Sequence, residues 1–456
     1  MAEYLVIDIG TSSLKAALIN EKADLLAQEK VHLLTLPGAD LAAWDPSLWD
    51  LALKRAVSLL APERTLRGIA VSGNGPTMVP MRVSGEAAGR AILWLGRDQA
   101  VTAPAGSNSY FLPQAAWLRE RKPQIFEDTS FFLTCPGYLS YRLCGNPCGI
   151  TPNDTFAPYL WDDEQILAWG FPTELFPPLI RSGERIGYTA EAATDRYGLE
   201  ARIPVYAGGP DYMMAVIGAG AVRPGLACDR AGTSEGINFC ADRAVDSARL
   251  RTLPHAVEGL YTVAGILAST GRVFEWFRRI TNQTERDYGT IIDEIRKLDP
   301  ESYSPRFFPS RHRGPVWDFN DGIFAGLQPE HTHVELGKGV VEAIAFGILD
   351  VVETLADEGC PVTSLRGTGG QYRNRQWNQM KADILGVPLE VPQIIDGELT
   401  GNLCAALVGE GQYASLAEAA GELVRIGERI EPDRELHGRY RELADGYRRA
   451  CSSFTT

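Results

Sequence analysis

The sequence predicts an α/β protein of two related domains, and three observations carry that prediction. An apolar run near the N-terminus turns back on itself through Gly-Thr-Ser-Ser (residues 4–19). A second unit of the same kind, with Gly-Thr-Ser, lies in the other half of the chain (residues 226–239). At 203–220 and 365–385, short apolar runs end in Gly-Gly turns that open helical patterns, the alternation of an α/β fold.

The first unit reads strand, tight turn, strand. Leu5 to Ile9 suits a buried strand and Ala16 to Ile19 its return. Gly10 lets the backbone turn and lets an anion approach closely. Thr11, Ser12 and Ser13 offer hydroxyl and N–H donors, and Lys15 adds positive charge. Asp8, at the end of the first strand, is placed to hold a metal ion or its bound water. That inventory suits a nucleotide phosphate with Mg²⁺. It is neither a Walker A loop nor a dinucleotide-binding fingerprint. An ordinary hairpin with a polar turn uses the same residue types. The repeat at Leu226–Phe239, with Gly232, Thr233 and Ser234 at its turn, favours two phosphate-gripping hairpins closing on one nucleotide.

The chain of 456 residues suffices for one to three domains and a large core. Hydrophobic residues make up 45% and charged ones 22%, which excludes a disordered chain. A net charge of −14 argues against nucleic acid as a partner, because phosphate backbones need a basic surface. It leaves ATP open, since a few local donors and Mg²⁺ can hold one triphosphate. No apolar run approaches the ~20 residues that cross a bilayer. The N-terminus enters a strand by residue 4 rather than a signal peptide. A cytoplasmic protein with no membrane partner is therefore expected. The eight cysteines are scattered, and Cys144-x-x-x-Cys148 lacks a second pair that would complete a zinc site.

Along the chain, Trp44-Asp45-Pro46-Ser47 leads into a helical pattern over Leu51–Leu60, with Asp45 or Ser47 as its cap. Arg67–Ser72 reads as a buried strand running into Gly73-Asn74-Gly75-Pro76-Thr77, where Asn74 could face a small ligand. Ala91–Trp94 reads as another short strand, followed by Gly96, Arg97 and Asp98. Trp94 with Arg97 could bind a polyol, or Trp94 could be plain core. Residues 111–145 are helical in parts, and Asp154 in a polar loop is a sugar-ligand candidate. At 203–220 a strand ends at Gly208-Gly209, and Asp211 opens a helix. The helix dipole there favours the ionised carboxylate, which suits a general base as well as a plain cap. Pro224-Gly225 marks a boundary. Helices are expected at 267–282, 335–355 and 376–385, a strand at Leu389–Val391, and a charged, helical tail from Leu416. The loop 307–315 could bring basic groups to the cleft, and Gly369, Gly370 and Asn374 could meet a nucleotide.

Three elements stand in one order: D-x-G-T-S-S-x-K, then G-G-P-D followed by G-A-G and G-T-S, then G-G with an Asn four residues on. With W-D-P near residue 44 and the segment Trp377–Gly386, this order resembles the FGGY family of carbohydrate kinases over nearly the whole chain. The resemblance implies two actin-like, ribonuclease-H-type ATPase domains, here 1–222 and 223–456, with an interdomain cleft. It implies that Asp8 organises Mg²⁺, together with Asp211, and that Gly10, Thr11, Ser12, Ser13 and Lys15 meet the phosphates of ATP. Gly232 and Thr233 would form the second phosphate grip, and Gly369, Gly370 and Asn374 would follow the α-phosphate and adenine. Asp211 matches the family's catalytic base, and Asn74, Trp94, Arg97 and Asp154 fall on the sugar side. The overall pattern is similar to that of xylulokinases, and a homodimer is a further implication. This chain departs from that pattern at Gly73-Asn74, at Gly96-Arg97-Asp98, at Ser310–Pro315 and at Cys404, mostly on the sugar side. A kinase for glycerol, erythritol, ribulose or gluconate is thus an alternative, and an actin-like switching ATPase is one from another class.

Overall fold

Strand β1 (Glu3–Ile9) is buried from Tyr4 onward, because it lies inside a sheet covered on both faces. The computed structural model describes residues 2–60, 65–93, 101–310 and 317–454. β1 pairs antiparallel with β2 (Ser13–Asn20), which sets Asp8 opposite Lys15. β3 (Leu25–His32) forms the edge beyond β2. On its other side β1 pairs parallel with β4 (Gly68–Gly73). With β5 (Arg185–Tyr188) and β6 (Pro204–Pro210), the sheet runs β3-β2-β1-β4-β6-β5. Side chains alternate along β1. Leu5, Ile7 and Ile9 pack in one cluster with Trp49, Leu53 and Val57 of the Ser47–Leu60 helix and Leu139 of the Cys135–Cys144 helix. Asp8 points the other way, toward the Gly397–Gly409 helix.

The second sheet repeats this plan. It contains β7 (Ala227–Ala231), β8 (Glu235–Ala241), β9 (Arg251–Pro254), β10 (Tyr261–Leu267), β11 (Leu365–Thr368), β12 (Leu389–Pro392) and β13 (Ile426–Ile430). Their order is β9-β10-β8-β7-β11-β12-β13. Again an antiparallel hairpin, β7 with β8, is followed by two parallel neighbours and an antiparallel closing strand. Its core gathers on the His333–Asp357 helix, whose start is fixed by a Thr332/Glu335 capping box.

Contacts divide the chain into two units. The first is Met1–Gly218 with Pro254–Glu258 and Gly397–Val424; the second is Ala219–Leu253, Gly259–Asp396 and Arg425–Thr456. The sequence pattern puts all of 223–456 in one domain, whereas packing returns Gly397–Val424 to the first unit. The return is built on absent side chains. A Cβ on Gly401 would stand 2.1 Å from the Met214 carbonyl oxygen, and one on Gly218 would stand 1.8 Å from that of Gly397. The Asp211–Gly218 and Gly397–Gly409 helices therefore meet backbone to backbone.

Several expectations need correction. Residues 91–93 form no strand, since Ile92 makes one isolated bridge to Met78, and Trp94 lies outside the described residues. The tail from Leu416 is not all helix, since β13 intervenes between Leu416–Leu423 and Arg434–Phe454. β3, β5 and β13 have no long apolar run, and the neighbouring strand's hydrogen bonds impose their conformation.

Gly401→Ala is expected to lower stability by at least ~1–3 kcal/mol, the usual cost of overpacking, through separation of the two helices. A denaturant midpoint equal to wild type would show that the helices can part freely.

Candidate functional site

The first turn is closed by the Gly10 N–H, which donates to the Ser13 carbonyl oxygen at 2.9 Å. Thr11 is half-buried, Ser12 exposed and Ser13 buried. Asp8 behind the turn is 2% exposed, and the Ser72 hydroxyl donates to its Oδ1 at 2.7 Å. Burial, then the negative charges of Glu398 and Asp211, push the Asp8 carboxyl up to about 8 against the opposing pull of Lys15 and Ser72. The Lys15 ammonium stands 3.4 Å from Glu398 Oε2. Three carboxylates, Asp8, Asp211 and Glu398, thus share a neighbourhood with Lys15 within the first unit.

Asp211 is the first residue of its helix, at the end of β6. It is half-buried, and its Oδ1 accepts from the Tyr212 N–H at 2.6 Å. The thiol of buried Cys135 is pushed far up by burial and then by Asp211 and Asp8, so these three lie close together. Asn74 is buried and braces the turn: its Nδ2 donates to the Ile9 carbonyl oxygen at 3.2 Å, and its Oδ1 accepts from the Thr77 hydroxyl at 2.7 Å. A small cavity beside it is lined by Gly10, Thr11, Trp44, Trp49, Asn74 and Leu93. Asp154 stands on the surface, held by the Arg181 guanidinium at 2.7 Å through Nε. Trp94, Gly96, Arg97 and Asp98, with Arg311–Pro315, lie outside the described residues.

In the second unit, Gly232 closes its turn as Gly10 does, donating to the Ser234 carbonyl oxygen at 2.9 Å. Gly232 and Thr233 are exposed. The Gly369 turn passes directly against this hairpin: φ is +97°, and a Cβ would stand 2.3 Å from the Ala231 carbonyl oxygen. Only glycine fits there. Gln371 Nε2 donates to the Gly232 carbonyl oxygen at 2.9 Å and ties the two turns together. Gly370 faces open space. Asn374 caps the Arg375–Leu385 helix, its Oδ1 accepting from the Gln376 and Trp377 N–H groups at 3.1 Å. Gly232, Thr233, Gly369 and Gly370 are thereby brought together.

Beneath these turns lies a buried charge network that sequence reasoning missed. Lys381 Nζ donates to Asp229 at 2.7 Å and to Glu235 at 2.5 Å, and the Tyr372 hydroxyl donates to Asp229 at 2.6 Å. All three charged side chains are essentially inaccessible. Lys381 sits inside the Trp377–Gly386 segment already singled out, but its partners come from β7 and β8, and no spacing connects them. The network joins the β7–β8 hairpin, the Gly-rich turn and the following helix. Removing Lys381 would leave buried carboxylates uncompensated, a loss of ~3–5 kcal/mol.

Among the described residues, no three His, Cys, Asp or Glu side chains gather as a metal cage. Cys135, Cys144, Cys148, Cys240, Cys360 and Cys404 carry free thiols, and Cys144 donates to the Ser140 carbonyl oxygen. No helix among the described residues is long and apolar enough to cross a membrane.

Two sheets built alike, each an antiparallel hairpin continued by two parallel strands and an antiparallel closing strand, with a Gly-Thr-Ser turn at the end of the first central strand, define the duplicated actin-like ATPase fold. The N-terminal domain of the FGGY family of carbohydrate kinases matches residues 3–104 and 107–218, and the C-terminal domain of that family matches 229–410. The chain belongs to this family and is an ATP-dependent carbohydrate kinase. A xylulose kinase of Staphylococcus epidermidis is 23% identical over 474 residues, covering 97% of this chain and 95% of that protein. The crystal structure of xylulose kinase from Rhodospirillum rubrum superposes with a TM-score of 0.80 at 22% identity, covering 99% of this chain and 98% of that one. Plasmodium falciparum glycerol kinase with ADP gives 0.81 at 18% identity, covering 100% and 99%. The last two likenesses are of fold.

Glu235 yields a pH prediction. Burial, and then Asp229, push its carboxyl from 4.5 to about 8 against the pull of Lys381. The folded protein therefore holds a proton that the unfolded chain releases. The stability tied to that proton is full below about 4.5 and is lost as pH rises through about 8. Asp8 and Glu342, also pushed up, act in the same direction. Denaturant titrations at pH 5, 6.5 and 8 should show a shallower loss for Glu235→Gln than for wild type. Parallel losses would place the proton elsewhere.

Proposed function

We propose that this kinase transfers the γ-phosphoryl group of ATP to a hydroxyl of a small sugar or polyol, a ketopentose such as xylulose foremost, with Asp211 as general base. The observation that carries the reading is the Asp211 carboxylate at a helix start, in the electrostatic field of Asp8 behind the first Gly-Thr-Ser turn. The acceptor oxygen forms its bond to the γ-phosphorus as the bond to the β–γ bridging oxygen breaks. Asp211 takes the hydroxyl proton, and ADP leaves. Such a transfer asks the protein mainly for positioning and charge stabilisation.

Gly10, Thr11, Ser12, Ser13 and Lys15 are assigned to the phosphates, with Gly232 and Thr233 as the second grip. Gly369 and Gly370 are assigned to the α-phosphate. Asn374 keeps its Nδ2 for an adenine edge while its Oδ1 caps the helix. Asp8 and Asp211 would hold Mg²⁺. Two carboxylates with hard oxygens, and no closed protein cage, are the donor set that Mg²⁺ takes when a triphosphate supplies the rest. A carboxyl pushed up by burial and by like charge is one whose ionised form a divalent cation stabilises. When bound, the ion would neutralise charge on the phosphate oxygens.

Trp94, Arg97, Asp154 and Asn74 remain the sugar-side assignments. A second reading, a kinase for another polyol or a sugar acid, is supported by Asn74. Its amide is engaged by Ile9 and Thr77 and carries no charge to offer a ketose. ADP release with Mg-ATP should be measured on D-xylulose, D- and L-ribulose, glycerol, erythritol and gluconate. Xylulose should respond most strongly; a stronger response to glycerol or gluconate would select the second reading. Steady ATP hydrolysis that no acceptor accelerates would point to a switching ATPase. Asp211→Asn should retain nucleotide binding and lose ~10²–10⁴ of turnover, the size of a general-base effect. Near-wild-type turnover would remove Asp211 from that role.

A further inference from the structure

We propose that Glu398 and Asn402 of the returning helix are positioning residues that hold Lys15 and Asp8 in their phosphate- and cation-binding poses. The two lie one turn apart on one face of the Gly397–Gly409 helix. Glu398 reaches Lys15 with Oε2 3.4 Å from Nζ, and both side chains are largely shielded. Asn402 is fully buried. Its Nδ2 donates to the Ile7 carbonyl oxygen at 2.9 Å and to the Ser72 hydroxyl oxygen at 2.8 Å. The Ser72 hydroxyl spends its own proton on Asp8 Oδ1 at 2.7 Å. The donation runs in one direction, Asn402 to Ser72 to Asp8. Because the amide can only donate from Nδ2, it prevents Ser72 from turning its hydrogen away from the carboxylate. Asp8 thus receives a fixed donor on one oxygen, and the rotamer of the other is set for a ligand.

The seat of Asn402 is specific. A Cβ on Gly208 would stand 2.2 Å from its Oδ1, so the β6 backbone makes room for this amide. The same β6 leads into Asp211, and Gly401 next to Asn402 touches Met214 of the Asp211–Gly218 helix. One helix turn therefore braces three charged groups of the first unit. The helix enters and leaves this unit through residues of the other, Asp396 and Arg425. Residues of the C-terminal half of the chain thereby complete the first phosphate turn.

The inference rests on the assignment of Asp8 and Lys15 to Mg-nucleotide, and the test separates the two. Calorimetric titration with Mg-ADP and with metal-free ADP would be run on Asn402→Ala, Ser72→Ala, Glu398→Gln, Asp8→Asn and Lys15→Met, with melting temperatures alongside. Ser72→Ala, which loses the hydrogen bond to the Asp8 carboxylate, should weaken Mg-ADP by on the order of 10-fold, and Asn402→Ala, which releases the Ser72 hydroxyl, should weaken it by no more than that, while metal-free ADP binds as in wild type in both. Glu398→Gln, which removes the carboxylate facing Lys15, should weaken both forms and raise KM for ATP more than it lowers kcat. Unchanged Mg-ADP affinity in Asn402→Ala, Ser72→Ala and Glu398→Gln, with Asp8→Asn and Lys15→Met impaired, would overturn this inference alone. Wild-type affinity in Asp8→Asn and Lys15→Met as well would overturn the site assignment beneath it. If the Asn402 or Ser72 variants lost both forms equally, in step with a lower melting temperature, the role would be structural and the inference would fail.

Discussion

Backbone-to-backbone packing of the Gly397–Gly409 helix is the constraint on which the first unit's chemistry depends. A helix normally keeps its neighbour 8–10 Å away through its side chains. At Gly401 and Gly218 there are none, and carbonyl oxygens occupy the space a methyl would need. That proximity lets short side chains do work that would otherwise need long ones. Asn402 reaches the β1 backbone and Ser72. Short side chains lose less rotamer freedom when ordered and hold a geometry more tightly.

The two Gly-Thr-Ser turns are alike in backbone and unlike in support. Both close through a glycine N–H on a carbonyl oxygen at 2.9 Å. In the first, the charges gather at the turn itself, where burial and then like-charged carboxylates raise Asp8. Such a cluster stores unfavourable electrostatics that a cationic ligand relieves. In the second, the charges lie inside, neutralised against Lys381 and away from the exposed Gly232 and Thr233. Its role is to join β7, β8 and the Arg375–Leu385 helix, at the desolvation cost that any buried ion pair carries. A duplicated fold has thus kept its turn and divided the use of its charges.

A kinase of this family needs little covalent chemistry from its side chains, so rigidity of placement is the main demand. Asp211 opens a helix at the end of a central strand, and Asp8 sits inside one, both rigid placements. Asn74 is committed to the Gly10 turn, whereas Asp154 is an exposed partner of Arg181.

Hairpin positions, the helix after Asp211 and the Gly369-Gly370 turn were legible in the chain, because short-range period and glycine placement encode them. The family followed from the order of those motifs. Edge strands β3, β5 and β13 were not legible, since a neighbour's hydrogen bonds rather than their own side chains make them strands. Nor was the return of Gly397–Val424 to the first unit, a matter of which glycines meet across nearly two hundred residues. The same holds for Lys381 with Asp229 and Glu235, and for Asn402 with Ser72 and Asp8. Residue type and local spacing decide which groups can serve a phosphate. Only the packing of distant segments decides which of them are braced, buried or paired, because those energies depend on distances that no local pattern contains.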